Sequence, residues 1–263
     1  LQQHHQRPLL YRGIAQRQAV PCRRTSCGSE RTSSGPFLRT RRSRLSGKST
    51  GYGTASSKCP DTTRQPSQNE RMSHGIRTER LHLRPFAEQD AKALLDILGD
   101  TEVNTFLPMF PLKHLEEAEA YLHKKLAALR SGESLLYDAV CMKGSDVPVG
   151  YVHVSGAGSH DLGYGLRKAF WHRGLCTEAC RAIIDRLRRD GLPYVTATHD
   201  VNNPRSGNVM QAIGMKYRYS YRELWQPKNI PVVFRMYQLN LDGQEERIYD
   251  EYRNKYPHFI EEL

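Results

Sequence analysis

Apolar and polar positions follow a regular pattern only in the part of the chain after residue 76. Alternation around Leu81 and Leu83 predicts a half-buried strand. Apolar residues at helical spacing then predict two helices, over about 91–98 and 115–129, and Gly132 follows the second. The folded region is therefore expected to open with a strand and two helices.

Three strand-like stretches come next, with short turns rich in glycine and serine between them. They cover residues 135–142, 147–154 and 161–166. Turns of this composition favour an antiparallel meander. The period then changes to that of a helix over about 175–189, with Gly174 at its entrance.

The rest of the pattern returns to strands. Residues 194–199 follow a helical crossover, so this strand should run parallel to the one at 161–166. Asn203 and Pro204 resemble the N-cap and first residue of a short helix. Aromatic residues then alternate with polar ones: Tyr217, Tyr219, Tyr221 and Trp225. Such alternation is typical of side chains that share one face in the core of a sheet. Residues 233–241 are expected to form the final strand.

Charge is distributed unevenly along the 263 residues. Lys and Arg outnumber Asp and Glu by 39 to 28, but residues 1–71 hold 14 of the basic and three of the acidic side chains. The remaining 25 basic and 25 acidic residues balance, which argues against a nucleic-acid-binding surface on the folded region. No apolar run approaches the length of about 18 residues that a membrane span needs. Length and charge predict one soluble domain with appendages.

Three segments follow from these patterns. Residues 1–71 are rich in Arg and Ser and lack any period, so we expect them to be disordered. Their composition also suits a transit peptide or a basic interaction tail. Because Met72 is the first methionine, the simplest interpretation starts natural translation there. Residues 72–242 form the expected domain, and the charged residues 243–263 are predicted to be a C-terminal helix or tail, packed on the domain or on a partner.

The sequence contains fragments of two common cofactor-binding motifs, but neither motif is complete. Residues 46–49 (SGKS) resemble the end of a phosphate-binding loop, but Arg42 occupies the position of its first glycine. The glycine pairs at 156 and 158 and at 163 and 165 do not complete a dinucleotide fingerprint. The six cysteines form no C-x-x-C pair, which favours unpaired thiols in a reducing compartment and suggests no metal site. We therefore predict a cytoplasmic protein without a metal.

The entrance of the helix at 175–189 is the most informative local feature. Free backbone N–H groups at a helix N-terminus bind anions. Gly174 would let the backbone approach an anion closely, and Arg173 adds positive charge. An ordinary tight turn beside a buried Trp171 is the alternative.

Four motifs occur in a fixed order along the folded region. They are residues 78–85 (TERLHLRP), 162–164 (LGY), 171–179 (WHRGLCTEA), and Asn203 and Ser206 followed by residues 213–215 (IGM). Together with the order of elements, they resemble the GNAT superfamily of acyl-CoA-dependent N-acetyltransferases. The closest likeness is to the branch that includes the ribosomal-protein N-terminal acetyltransferases. The resemblance covers about residues 77–241.

The resemblance implies an α+β fold (α/β mixed), with a central twisted mixed sheet of about seven strands and about four flanking helices. Most strands would be antiparallel, with one splayed parallel pair. It also implies acetyl-CoA as co-substrate, no metal, and direct attack on the thioester in a ternary complex. The acceptor would be a primary amine of a small molecule or of a protein N-terminus. No nucleic acid or membrane partner is expected for the domain, and a homodimer is left open.

The resemblance assigns cofactor-binding roles by position. The residues that would hold the CoA pyrophosphate are Arg173, Gly174, Leu175, Cys176 and Thr177. The strands around Leu166 and Thr198 would splay to admit the pantetheine arm, and Asn203 would hydrogen-bond it. Trp171 and Cys176 differ from the commonest residues of the loop motif, and binding is expected to survive both differences.

Asp161 is the expected base, directly or through water, because it precedes the 162–164 motif where relatives often have a glutamate in that role. A solvated carboxylate at a strand start is its non-catalytic alternative. His160 and His199 are rivals, and Glu223 is another acceptor-side carboxylate.

Met210 stands where many relatives have a tyrosine that protonates the leaving thiolate. A thiol has a pKa of about 8.5, so the thiolate leaves with little help. Ser206 could instead donate a hydrogen bond to the sulfur, or could only stabilise the first helical turn.

The substrate is the least determined property. With Asp161 as the base, an α-amino group of pKa about 8 is favoured slightly over a lysine amine of about 10.4. The apolar loop 106–110 is placed where family members shape the acceptor pocket. Two other functions stay open: a catalytically silent acyl-CoA-binding or sensing module, and a nucleic-acid-binding protein that depends wholly on residues 1–71.

Overall fold

The structure, a computed structural model, describes residues 75–263. The predictions for residues 1–71, including their disorder and a targeting role, lie outside the described residues, as does Met72. Across the described range, no helix is long and apolar enough to cross a membrane.

The described residues form nine strands and six helices. The strands are β1 (Ile76–Arg77), β2 (Leu81–Pro85), β3 (Ser134–Met142), β4 (Pro148–Ser155), β5 (Leu162–Leu166), β6 (Tyr194–Asp200), β7 (Lys216–Trp225), β8 (Ile230–Asn240) and β9 (His258–Phe259). The helices are α1 (Ala91–Leu98), α2 (Thr101–Asn104), α3 (Leu115–Ser131), α4 (Leu175–Arg189), α5 (Pro204–Ala212) and α6 (Glu251–Lys255).

The strands divide into two antiparallel sheets, in the orders β1-β2-β3-β4-β5 and β6-β8-β7-β9. The two sheets meet at a single parallel bridge between Asp161 and Thr196. The α+β class, the antiparallel majority and the splayed parallel pair are thus confirmed. There are two sheets rather than one continuous sheet because β5 and β6 separate beyond that bridge.

Three apolar clusters hold these layers together. Helix α4 packs Leu175 and Ile183 on the face of the first sheet that includes Leu162. The opposite face of that sheet, with Tyr137, is covered by α1 and α3. The C-terminal segment, residues 243–263, contributes Tyr249 to a third cluster on the second sheet.

The strand prediction is wrong on two points: the aromatic residues of β7 do not share one face, and β8 is not the last strand. Tyr217 packs in the first cluster, whereas Tyr219 and Tyr221 lie in the third. A register shift between Tyr217 and Tyr219 separates them, and a one-residue shift moves side chains to the other face of a sheet. Strand β8 is also not the last strand, since β9 pairs with β7.

The C-terminal segment has little helix. Helix α6 spans five residues, and Pro257 follows it closely. Proline restricts the residue before it to extended backbone, so the helix cannot continue. The chain then forms β9, in which His258 pairs with Tyr221.

Candidate functional site

The loop before α4 is built around two left-handed residues. His172 has φ 59° and Gly174 has φ 70°, and Gly174 is the N-cap of the helix. A glycine adopts this conformation without the steric cost that a Cβ imposes. The turn therefore depends on Gly174 and exposes the start of the helix to solvent, because residues 172–174 are all exposed.

Helix α4 begins with unused backbone donors. Its first intrahelical bond at this end runs from the Glu178 N–H to the Gly174 carbonyl, 3.0 Å apart. The preceding N–H groups, of Leu175, Cys176 and Thr177, thus have no acceptor within the helix. No side chain of the described region caps them. Together with the positive end of the helix dipole, these donors have the chemistry that suits an anion.

Arg80, directly before β2, holds this loop in place. Its Nη1 donates to the Arg173 carbonyl at 2.8 Å, and its Nε and Nη2 lie 2.7 and 2.6 Å from Glu178 Oε2. The Thr78 hydroxyl donates to the other carboxylate oxygen at 2.5 Å. The segment before β2 and the first turn of α4 are therefore joined by a fixed group of charge-assisted hydrogen bonds.

Trp171 connects the same loop to the end of β5. Its indole Nε1–H donates to the Leu166 carbonyl at 2.8 Å. The Arg205 guanidinium lies 5.4 Å from the Trp171 ring, and that of Arg173 lies 5.7 Å from the Phe170 ring. The half-buried Trp171 thus stabilises the turn and also brings positive charge to the helix entrance.

A fork between β5 and β6 opens beside the helix entrance. Asp161 pairs with Thr196 at the closed end, and Leu166 lies at the far end of β5. Thr198 lies past the bridge on β6. The facing edges of the two strands have no ladder pairing beyond the bridge, in the part of the chain that the structure describes. Their backbone groups are free to bond a ligand in the fork.

Asp161 has a carboxylate with no internal partner. Its Oδ1 is buried and accepts no hydrogen bond from any described residue. Burial raises the pKa of Asp161 from 3.8 to about 7. A carboxyl group with this pKa is partly ionised at neutral pH and can accept a proton there.

Three tyrosines from different elements have raised pKa values, to which the Asp161 charge contributes. Burial, and then the charge of Asp161 among weaker causes, raises the pKa values of Tyr164, Tyr221 and Tyr252. The Tyr221 ring stacks on that of Tyr252, with centroids 5.2 Å apart, and Tyr256 stacks on Tyr221 at 5.4 Å. The hydroxyl groups of these tyrosines therefore stay neutral near pH 7.

Asn203 and Ser206 lie at the start of α5. The Asn203 side-chain oxygen accepts from the Ser206 N–H at 3.4 Å, as an N-cap does. This bond leaves the Asn203 amide NH₂ available to a ligand. The Tyr164 hydroxyl lies 2.8 Å from the Ser206 carbonyl oxygen and 3.0 Å from its Oγ, which fixes the Ser206 side chain near β5.

The rival residues have other surroundings. The His199 ring is buried against Gly207, with Nδ1 2.8 Å from the Asp200 carbonyl, and burial lowers its pKa. The His160 ring packs against that of Tyr194 in a tilted arrangement, with centroids 5.2 Å apart, and burial lowers its pKa too. Neither ring is held towards the Asp161 carboxylate by a described hydrogen bond.

Glu223, Met210 and two cysteines have contacts of other kinds. The Glu223 carboxylate accepts a hydrogen bond from the Tyr256 hydroxyl at 2.9 Å. Met210 is 1% exposed in the first apolar cluster, so a thioether occupies the position where many relatives have an acid. Cys176 and Cys180 lie one helical turn apart on α4, and both have free thiols. No cluster of metal-ligating residues occurs within residues 75–263.

Sequence reasoning missed some residues that the structure places at this site. Arg80 and Glu178 belong to two of the motifs named above, but they meet only in the tertiary structure. Tyr221 and Tyr252 lie 31 positions apart in the sequence. The only signal for Tyr252 is the run of tyrosines in the C-terminal segment.

Comparisons with known proteins point to one family of acetyltransferases. The family model described as an acetyltransferase (GNAT) domain matches residues 80–216, just over half of the chain. The chain is 25% identical over 145 residues to an uncharacterized N-acetyltransferase, YnaD, of Bacillus subtilis (strain 168). That match covers 54% of this chain and 82% of YnaD.

Two solved structures have a similar fold. RimL, a ribosomal L7/L12 alpha-N-protein acetyltransferase in complex with coenzyme A, matches with a TM-score of 0.58 and 15% identity, over 65% of this chain and all of RimL. The ribosomal-protein-S5-alanine acetyltransferase from Vibrio fischeri matches with a TM-score of 0.55 and 16% identity, over 65% of this chain and 98% of that protein. At these identities the likeness concerns the fold.

Proposed function

The chain belongs to the GNAT acetyltransferase family, and from this premise we propose that it transfers the acetyl group of acetyl-CoA to a primary amine. One observation supports this most directly. The exposed N-terminus of α4, with its free backbone donors, stands beside a fork between β5 and β6 that has a buried, unpaired carboxylate at its closed end. An elongated molecule with a phosphorylated end and a reactive end fits that order of groups.

The residues at the helix entrance suit the phosphates of acetyl-CoA. The N–H groups of Leu175, Cys176 and Thr177 would bind the pyrophosphate, with Arg173 adding charge. The pantetheine arm would lie in the fork, between the edges of β5 near Leu166 and of β6. Its amide groups can pair there with free backbone groups and with the Asn203 NH₂.

We propose Asp161 as the base, which its buried, unpaired Oδ1 and raised pKa support. The neutral amine attacks the thioester carbonyl, a C–N bond forms, the C–S bond breaks, and Asp161 accepts the proton released from nitrogen. The thiolate leaves, helped by a hydrogen bond from the Ser206 hydroxyl, and takes a proton from water. A base of pKa about 7 matches an amine that is partly neutral near pH 7.

The acceptor is therefore proposed to be an α-amino group or another amine of low pKa, on a small molecule or at a protein N-terminus. The alternative is a catalytically silent acyl-CoA-binding module. It is favoured by the packing of Met210, which supplies no acid near the fork.

Calorimetric titration of the full chain with acetyl-CoA tests the proposal first, with desulfo-CoA and ATP as controls. Micromolar affinity for acetyl-CoA and weak affinity for ATP are expected. An amine panel with detection of released thiol follows. Binding without turnover of any amine would support the silent module, and a folded sample that fails to bind acetyl-CoA would refute both.

A further inference from the structure

A second polar cluster lies under α3, on the face of the first sheet opposite α4. Its centre is Lys125, which is half-buried. The Lys125 ammonium lies 5.3 Å from the ring centroid of Tyr121 and 5.7 Å from that of Tyr137. No carboxylate of residues 75–263 lies within ion-pair distance of it. Lysine is rarely buried without an anionic partner.

Tyr137 supplies an independent observation at the same place. The residue is 1% exposed, and its buried hydroxyl has the Tyr121 hydroxyl as a neighbour but no hydrogen-bond partner of good geometry among the described residues. Nearly all buried polar groups in proteins have such a partner. A ligand oxygen beside Lys125 would supply one to Tyr137 and a counter-charge to the ammonium.

The register of the first sheet places this cluster on the same face as Asp161. Tyr137 pairs with His153, and His153 pairs with Gly163, so the three form one row across β3, β4 and β5. The His153 ring lies over Gly163, where a Cβ would collide with it. Side chains alternate between faces, so Asp161 and Gly163 share one. The row crosses two strand spacings, about 10 Å.

We propose that Lys125 and the Tyr137 hydroxyl bind an anionic group of the amine acceptor, a carboxylate or a phosphate. The proposal rests on the proposed function, since it takes Asp161 as the place where the amine reacts. The ring of His153 lies between the two ends and stays neutral, because burial and the Lys125 charge lower its pKa to about 3. His153 therefore adds no competing charge to the site.

This site selects a class of acceptor. A simple monoamine would leave Lys125 and Tyr137 without partners, whereas an acceptor with an anion several bonds from its amine satisfies both ends. Short peptides with a free C-terminal carboxylate and peptides with an acidic residue near the N-terminus share this chemistry.

Matched acceptor pairs with α-amino groups test the inference in the full chain. The pairs are triglycine with triglycinamide, and the peptide amide Ala-Glu-Glu-Ala with Ala-Ala-Ala-Ala, which separate a terminal carboxylate of a small acceptor from acidic side chains of a peptide. Dissociation constants of each member are measured with the CoA-loaded protein, and turnover is measured with acetyl-CoA. The acidic member of at least one pair should bind at least tenfold more tightly than the neutral member.

Variants then locate the preference. Lys125→Met should remove it, Lys125→Arg should keep much of it, and the affinity for acetyl-CoA should not change in either. Lys124→Met is the matched control, because it removes the same charge from the neighbouring, exposed position of α3.

The opposite results would contradict either the anion site or the proposed function. Equal binding of acidic and neutral members, binding of neither, or equal losses in the Lys125→Met and Lys124→Met variants would overturn the anion site. If acetyl-CoA itself does not bind, the proposed function fails instead, and the calorimetric titration distinguishes the two failures.

Discussion

The two sides of the fork are built in different ways. The proposed cofactor side comes from one short stretch, residues 171–178, whose backbone supplies the donors. The proposed acceptor side is assembled from segments that lie far apart in the sequence, and its groups are buried side chains such as Asp161. The first is exposed and defined by backbone conformation, and the second is enclosed and defined by packing. Substitutions on the two sides should therefore affect different steps of the reaction.

The largest effect is expected on the acceptor side, from Asp161→Asn. An amide cannot accept the amine proton, so kcat should fall by about 10²- to 10³-fold. The affinity for acetyl-CoA, measured by calorimetry, should be unchanged. In the parent, kcat/KM should rise with pH through about 7, as the carboxyl group loses its proton, and this rise should disappear in the variant.

Asp185→Asn is the control, since this carboxylate is 62% exposed on α4. Folding provides a further check. The pKa of Asp161 is raised in the folded state, so its ionisation lowers stability as the pH rises from about 4 towards 7. The Asn variant should therefore melt no lower than the parent at pH 8. Full turnover by this variant would remove Asp161 from the mechanism.

A smaller effect is expected on the cofactor side, from Gly174→Val. A β-branched residue at φ 70° costs about 1–2 kcal/mol and displaces the backbone donors. The dissociation constant for acetyl-CoA should rise about tenfold, measured by calorimetry.

Gly132→Val is the matched control. Gly132 also has a left-handed conformation, with φ 79°, but it ends α3 and has open space around it. Both variants should lose similar stability, and only Gly174→Val should weaken acetyl-CoA binding. Equal affinities in the two would show that the α4 entrance does not hold the cofactor.

Arg80→Ala should produce a weaker effect on the same side. It removes the bonds to Glu178 and to the Arg173 carbonyl while leaving every proposed phosphate donor in place. Affinity for acetyl-CoA should fall about three- to fivefold with kcat unchanged, since the donors lose order rather than number. Arg188→Ala, at an exposed position of α4, should change neither quantity; a lower kcat for Arg80→Ala would contradict a role limited to loop position.

The same contrast explains how much the sequence could predict. Local signals identified the Gly174 turn, the Asn203 N-cap and the succession of most strands and helices along the chain, because each depends on neighbouring residues. The bulge after Tyr217 and the strand β9 depend on pairing partners that lie far away in the chain. Tyr252 was missed for the same reason, since nothing near it in the sequence indicates that its ring stacks on Tyr221.

The smallest effect is expected where the two sides meet, from Ser206→Ala. The Ser206 N–H bond to Asn203 does not need the side chain, and the Tyr164 hydroxyl keeps the Ser206 carbonyl as an acceptor, so the melting temperature should change little. If the hydroxyl assists the thiolate, kcat should fall about two- to fivefold with the same KM for acetyl-CoA, the size of one modest hydrogen bond. A lower melting temperature with an unchanged kcat would instead assign Ser206 to the first turn of α5. Because a thiolate is already a good leaving group, a larger loss of kcat would mean that Ser206 also orders Tyr164 on the acceptor side.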